Sequence, residues 1–90
     1  MYDLVITGQF KKDLKKNPKD YELSRKVVKK LQAEGVKGLS LKLKPHNLTG
    51  NYKGHLECHL RPDLLIIGIQ VESPKRIKLV RIGSHSDLFQ

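Results

Sequence analysis

Four histidines, His46, His55, His59 and His85, are the side chains best suited to chemistry in a chain with one cysteine and no tryptophan. An imidazole with an unperturbed pKa near ~6.5 exchanges protons at neutral pH, and it is also the commonest metal ligand. Two uses therefore compete. His55 and His59 stand four apart, a spacing that gathers ligands on one face of a helix. On a strand, rising ~3.3 Å per residue, the same spacing separates their backbones by roughly 13 Å, whereas zinc needs every donor within ~2.0–2.2 Å. The local pattern decides between these. From Tyr52 to Leu60 the even positions (Tyr52, Gly54, Leu56, Cys58, Leu60) are mostly apolar, and the odd positions from Lys53 to Arg61 are all polar. Period two predicts a strand with one face on the core and one in water. The expectation is no metal and no cofactor. Cys58 by itself makes neither a disulfide nor a cysteine-built zinc site.

Acid–base work remains, and RNA cleavage needs it twice. One group takes the proton of a 2′-hydroxyl so that it attacks the neighbouring phosphate; another protonates the departing 5′-oxygen, while cations hold the charge that builds on phosphorus. The water-facing side of the Tyr52–Leu60 strand offers His59, with Lys53 and Glu57 beside it. His85 follows Arg81 on a chain end able to curl over the sheet. Asp63, in the Arg61-Pro62-Asp63 turn, either orients an imidazole, acts as base, or only shapes the turn. Arg81 is a phosphate cation or pairs with Glu57 across the sheet; Phe89 plugs the core or stacks on a base.

The elements that must position these groups are legible in outline. Tyr2–Ile6 reads as a first strand. Thr7 or Gly8 opens a short helix carrying Phe10 and Leu14 at i, i+4, and Asn17-Pro18 interrupts it. A second helix, about Lys19–Glu34, aligns Leu23, Val27 and Leu31, with Gly35 as its C-terminal stop. Residues 36–50 look irregular. Beyond the histidine strand, Leu64–Val71 is apolar on both faces, as a central strand should be, and Ser73-Pro74-Lys75 turns into Ile77–Ile82. The reading is one domain over residues 1–90, α+β in the order β-α-α-β-β-β, with a twisted, mainly antiparallel sheet and both helices on one face.

The net charge of +9 is the strongest global feature. Residues 1–45 hold twelve Lys/Arg and five Asp/Glu, and residues 46–90 hold six and four. The surplus lies on the helix pair, as a solvated coat or as a surface that attracts phosphates or an acidic protein partner. The longest apolar run, Leu64–Ile67, is far short of the ~18 residues of a membrane span. Met1-Tyr2-Asp3-Leu4 lacks the pattern of a secretion signal, so the expected address is the cytoplasm.

Three separated segments carry a resemblance: Pro45-His46-Asn47-Leu48-Thr49-Gly50-Asn51-Tyr52-Lys53-Gly54, then Cys58-His59-Leu60-Arg61-Pro62-Asp63, then Arg81-Ile82-Gly83-Ser84-His85-Ser86-Asp87-Leu88-Phe89. Together they resemble the YafQ-type branch of the RelE/ParE toxin superfamily. The resemblance implies a RelE-like fold and metal-independent endoribonuclease activity on messenger RNA, usually on the ribosome. It also implies a small antitoxin partner that wraps the toxin in a hetero-oligomer and binds operator DNA. The family's site falls on His46, His59, Asp63, His85 and Phe89, with Arg81 as phosphate cation. Base and acid are not divided among His46, Asp63 and His85. Three positions depart from the family pattern: Tyr52 where tryptophan is common, Leu56 where arginine is frequent, and Gly68 where tyrosine is frequent. Two alternatives keep the same fold or charge: a ParE-like gyrase poison, and a non-catalytic module that binds RNA or an antitoxin.

Overall fold

The computed structural model describes residues 1–89. The elements are β1 (Asp3–Ile6), α1 (Gly8–Lys16), α2 (Tyr21–Glu34), β2 (His46–Asn47), β3 (Leu56–Arg61), β4 (Leu64–Glu72), β5 (Lys75–Gly83) and α3 (His85–Phe89), joined in places by 3-10 turns. The strands form one sheet in the order β1-β5-β4-β3-β2. β1 runs parallel to β5, and every other neighbouring pair is antiparallel. This is the expected α+β architecture, extended by the two-residue strand β2 and the terminal helix α3.

Local chemistry sets the helix ends. Thr7 caps α1: its Oγ1 accepts from the Phe10 amide at 3.1 Å while its hydroxyl donates to the Val80 carbonyl at 3.2 Å, pinning the helix start to β5. Asn17 ends α1, and Pro18 opens the 3-10 turn Pro18–Asp20 into α2. Gly35 stops α2 with φ +72°; a Cβ there would lie 2.9 Å from the Tyr2 ring. Phe10, Val27 and Leu31 pack with Leu60, Leu64, Ile66, Ile77, Leu79 and Ile82 in the main core. Both long helices therefore cover one face of the sheet. Leu65 and Ile67 point the other way and form a second cluster with Leu88, bordered by Leu48, Tyr52 and Val80.

The histidine strand starts later than its alternation suggests. Gly50–Tyr52 is a 3-10 turn and Gly54 takes φ +87°, so β3 begins only at Leu56. Lys53 and His55 consequently lie outside the strand. Tyr52, read as core-facing with Leu56, packs instead on the second cluster. Farther along, β4 bulges against β5 at Ile67/Gly68, where a Cβ on Gly68 would come within 2.9 Å of the Lys78 carbonyl oxygen.

One ion pair closes the seam between α1 and β5. Asp13 is only 3% exposed. Its Oδ2 accepts from Arg81 Nε at 2.8 Å and from the Ile82 amide at 3.1 Å. Its Oδ1 accepts from Arg81 Nη2 and Gln9 Nε2, each at 3.1 Å. Burial pushes this carboxyl upward, but the Arg81 fork and the Ile82 and Gln9 donors outweigh it and hold it below the usual carboxylate range. A depressed folded-state value stabilises above the unfolded carboxyl pKa, near ~3.9 for aspartate, and that contribution disappears as pH falls through the folded value. Asp13→Ala should therefore lower the unfolding free energy at neutral pH by about 1–3 kcal/mol, the usual cost of leaving donors, here the Ile82 amide and the partly exposed Arg81 guanidinium, without their acceptor. Urea unfolding at pH 7 and near pH 2 should show the gap between wild type and variant narrowing in acid. A gap of constant size would contradict this account of Asp13.

Candidate functional site

The candidate groups lie on the face of the sheet turned away from α1 and α2. Register dictates the layout: His46 pairs with Glu57, Glu57 with Ile67, and Ile67 with Arg81, so one row crosses β2, β3, β4 and β5. At ~4.8 Å per strand this row spans roughly 14 Å of backbone. The next row carries His59 opposite Leu65 and Leu65 opposite Gly83, and the latter leads into α3.

At the β2–β3 end, Glu57 Oε1 receives both His46 Nε2 at 3.0 Å and His59 Nε2 at 3.2 Å. The two rings stack over it with centroids 6.0 Å apart. Glu57 was expected in water beside His59, as a substrate contact; it is instead 5% exposed, because both imidazoles cover it. It holds the histidines rather than reaching outward. His46 is also fixed from behind, with Nδ1 2.9 Å from the Lys44 carbonyl oxygen. Lys44 itself adopts the left-handed conformation, φ +48°, unusual for a side chain other than glycine. Both partners of the His46 ring, a carbonyl and a carboxylate, are hydrogen-bond acceptors. His46, Glu57 and His59 also present their ligand atoms within 4.8 Å of one another, close enough to hold a metal ion.

At the β5 end, α3 folds back over the second cluster. Ser84 and Asp87 cap it reciprocally, Ser84 N donating to Asp87 Oδ2 at 3.3 Å and Asp87 N to Ser84 Oγ at 3.1 Å. Asp63 accepts from the His85 amide at 3.4 Å, tying the β3–β4 turn to the helix start. His85 is exposed, its ring 4.7 Å from that of Phe89. Phe89 meets Tyr52 edge-on at 5.5 Å, and the Tyr52 hydroxyl donates to the Leu88 carbonyl at 3.4 Å. Leu88 is buried in the second cluster, so apolar packing fixes His85 and Phe89 in place.

Arg81 joins the row differently from expectation. It pairs with Asp13 and not with Glu57, which the two histidines occupy. Asp13 above all, with a smaller contribution from the Tyr52 hydroxyl, raises the already high guanidinium pKa, so the cation is permanent. Nε and Nη2 are spent on Asp13, while Nη1 is not.

The structure thus brings His46, His59 and Glu57 into contact at one end, and Asp63, His85 and Phe89 at the other, with Tyr52 between Phe89 and Arg81. Lys53 is exposed on the turn before β3 and joins neither group. Asp13 and Tyr52 were not anticipated as site residues. Asp13 leaves one signal, as an acid three residues after Phe10 on the apolar side of a lysine-rich helix.

The family model described as the bacterial toxin of type II toxin–antitoxin systems, YafQ, matches residues 2–90. The mRNA interferase toxin YafQ of Escherichia coli K12 is 29% identical over 97% of this chain and 95% of its own length. A metal-bound toxin from Helicobacter pylori is 41% identical, with TM-score 0.85, covering 99% of this chain and 100% of that one. YafQ in the E. coli DinJ–YafQ complex is 28% identical, with TM-score 0.84 and full coverage of both chains. With a family match over nearly its whole length, the chain belongs to the YafQ family of type II toxin–antitoxin toxins.

Proposed function

We propose that the protein is an endoribonuclease that cleaves messenger RNA without a metal, acts in association with the ribosome and is held in check by a small antitoxin. The observation that carries this reading is the placement of His46, His59, Asp63, His85, Arg81 and Phe89 on one sheet face in a member of a family whose E. coli relative is an mRNA interferase. A base removes the 2′-hydroxyl proton and the O2′–P bond forms. The P–O5′ bond then breaks, and an acid returns a proton to O5′. The products are a 2′,3′-cyclic phosphate and a free 5′-hydroxyl. His85, exposed and anchored among the described residues through its backbone and Phe89, is the acid–base group that meets the phosphate. Arg81, held in a fixed direction by Asp13, offers Nη1 to the developing charge. Phe89 is a platform on which a base adjoining the scissile phosphate stacks. Asp63 sets the start of α3 and so the position of His85.

A second reading follows from the metal-bound H. pylori toxin together with the His46–Glu57–His59 cluster: hydrolysis assisted by a bound ion. The same face serves both, and a chelator distinguishes them. Cleavage of naked RNA should survive excess EDTA; activity that vanished with EDTA and returned with zinc or manganese would establish the metal-assisted route.

His85→Ala should leave the circular dichroism spectrum unchanged while slowing RNA cleavage by ~10²–10⁴-fold, the usual worth of one acid–base group. Mapping of product ends should find 2′,3′-cyclic phosphates with wild type. Unslowed cleavage by His85→Ala would remove it from the chemistry, and intact RNA with or without ribosomes would favour a gyrase poison or a non-catalytic binder.

The lysines of α1 and α2, among them Lys12, Lys16 and Lys29, should serve RNA and antitoxin alike. RNA binding should fall by roughly 0.7 powers of salt concentration per phosphate neutralised. Antitoxin binding should fall less, because apolar burial is insensitive to screening. Salt titrations with Lys12→Glu, Lys16→Glu and Lys29→Glu measure both, and affinities untouched by charge reversal would make these lysines a solvated coat.

A further inference from the structure

Arg61 belongs to the Cys58–Asp63 segment but takes no part in the chemistry above. Its guanidinium forks onto Asp20, Nε donating to Oδ1 at 3.1 Å and Nη2 to Oδ2 at 2.7 Å. In this bidentate geometry arginine fixes direction as well as charge. Asp20 forgoes a local role to make the pair. It stands at the N-cap of α2, where an aspartate usually accepts from the helix amides, yet its side chain makes no cap bond. Asp20 is only 7% exposed, so its carboxylate is committed to Arg61. The fork ties the start of α2 to the end of β3, 41 residues away in sequence.

What lies beyond Arg61 is short and stiff. Arg61 pairs with Leu64 across the β3–β4 turn, which leaves only Pro62 and Asp63 between them. The proline ring fixes its own φ angle, so the turn has little slack. Leu64, 1% exposed, pins the far leg of the turn in the main core. Arg61 pins the near leg where β3 is irregular, since its register with β4 shifts between His59 and Arg61. At the tip Asp63 accepts from the His85 amide at 3.4 Å. Two hydrogen-bonded links, joined by two residues of backbone, thus run from the helix layer to the site face.

We propose that Asp20 and Arg61 are positioning residues: their fork sets the β3–β4 turn so that Asp63 holds the start of α3, and with it the His85 imidazole, where cleavage requires it. The kinetic half of this proposal rests on the ribonuclease reading above; the structural half does not.

The test compares backbone amide resonances of isotope-labelled full-length wild type, Arg61→Gln, Asp20→Asn and Asp63→Ala, each checked for native circular dichroism. Arg61→Gln and Asp20→Asn should move the His85 amide toward its position in Asp63→Ala. The Ile82 amide, held by Asp13, should stay where it is in wild type. Should Asp20→Asn fail to fold, Arg61→Gln, whose side chain is 40% exposed, carries the comparison. In the kinetic arm, each of the two variants should lower kcat for RNA cleavage by roughly tenfold or more with KM little changed, since a ~1 Å misplacement costs up to ~10²-fold. In a His85→Ala background the same substitutions should cost nothing further, because residues that act as a unit are not additive. A general loosening of the fold would slow both backgrounds alike. An unmoved His85 amide in Arg61→Gln overturns the structural link. A moved amide with unchanged kcat, or an equal loss in the His85→Ala background, overturns the positioning role. A moved amide in a protein whose wild type cuts no RNA supports the link and overturns the ribonuclease reading.

Discussion

Four consecutive residues of β4, Leu64, Leu65, Ile66 and Ile67, are each no more than 2% exposed. Because a strand sends alternate side chains to opposite faces, this burial demands cover on both sides of the sheet. α1 and α2 supply it for Leu64 and Ile66. On the other side only Leu65 and Ile67 need shelter, and the cover is correspondingly small: Leu48, Tyr52, Val80 and the one-turn helix that carries Leu88. Each fully buried leucine or isoleucine is worth about 1.5–3 kcal/mol relative to exposure. That free energy folds the chain end back over the sheet. His85 and Phe89 ride on the same short helix as Leu88, so the site is assembled by the requirement to dry two side chains of the central strand. Helix α3 is too short to persist in isolation; it exists because Leu88 is anchored, Ser84 and Asp87 cap it, and Asp63 receives its first amide.

Electrostatics then arranges what packing has gathered. The chain carries +9, yet both charged side chains central to the site face are already engaged: Arg81 pairs with Asp13, and Glu57 meets two imidazole nitrogens. Such pairing reduces the net attraction for phosphate at the site itself while fixing direction, which is what an arginine fork contributes best. The lysines of α1 and α2 lie away from these pairs, and their field extends over about 10 Å at ordinary ionic strength. The lysine-rich helices and the histidine row thereby occupy opposite faces of the sheet.

The division between what the sequence displays and what it hides follows from range. Helices α1 and α2 and strands β4 and β5 are visible because each has its own period and its own stop: Thr7, Pro18, Gly35, Pro74. The strand bearing His59 is visible too, but its alternation runs on through Tyr52 and Gly54 into a turn, since apolar–polar alternation does not register the positive φ of Gly54. β2 is two residues long and has no periodicity to detect, although it delivers His46 to Glu57. For that reason an argument confined to the spacing of His55 and His59 misses a cluster built across strands. The pairing of Asp13 with Arg81 joins residues 68 apart in sequence and is fixed only when α1 docks beside β5.

Leu56 and Gly68, two of the positions that depart from the family pattern, turn out to be direct partners across β3 and β4. They are one site of change rather than two. Leu56 alternates with Glu57 and so lies on the helix face, where it lines an apolar pocket with Leu31, Val36, Leu39, Ile77 and Gly68. Gly68 has no room for a side chain on this backbone, because the Lys78 carbonyl oxygen stands where a Cβ would press. A bulge that brings β5 this close requires glycine, and a neighbouring leucine fills the space better than a charge whose partner the pocket does not offer. The histidine row, on the opposite face, keeps its register through Glu57 and Ile67 up to the bulge. A change at the Leu56–Gly68 pair therefore acts on how the helices seat on the sheet, while the histidine row on the opposite face stays in line.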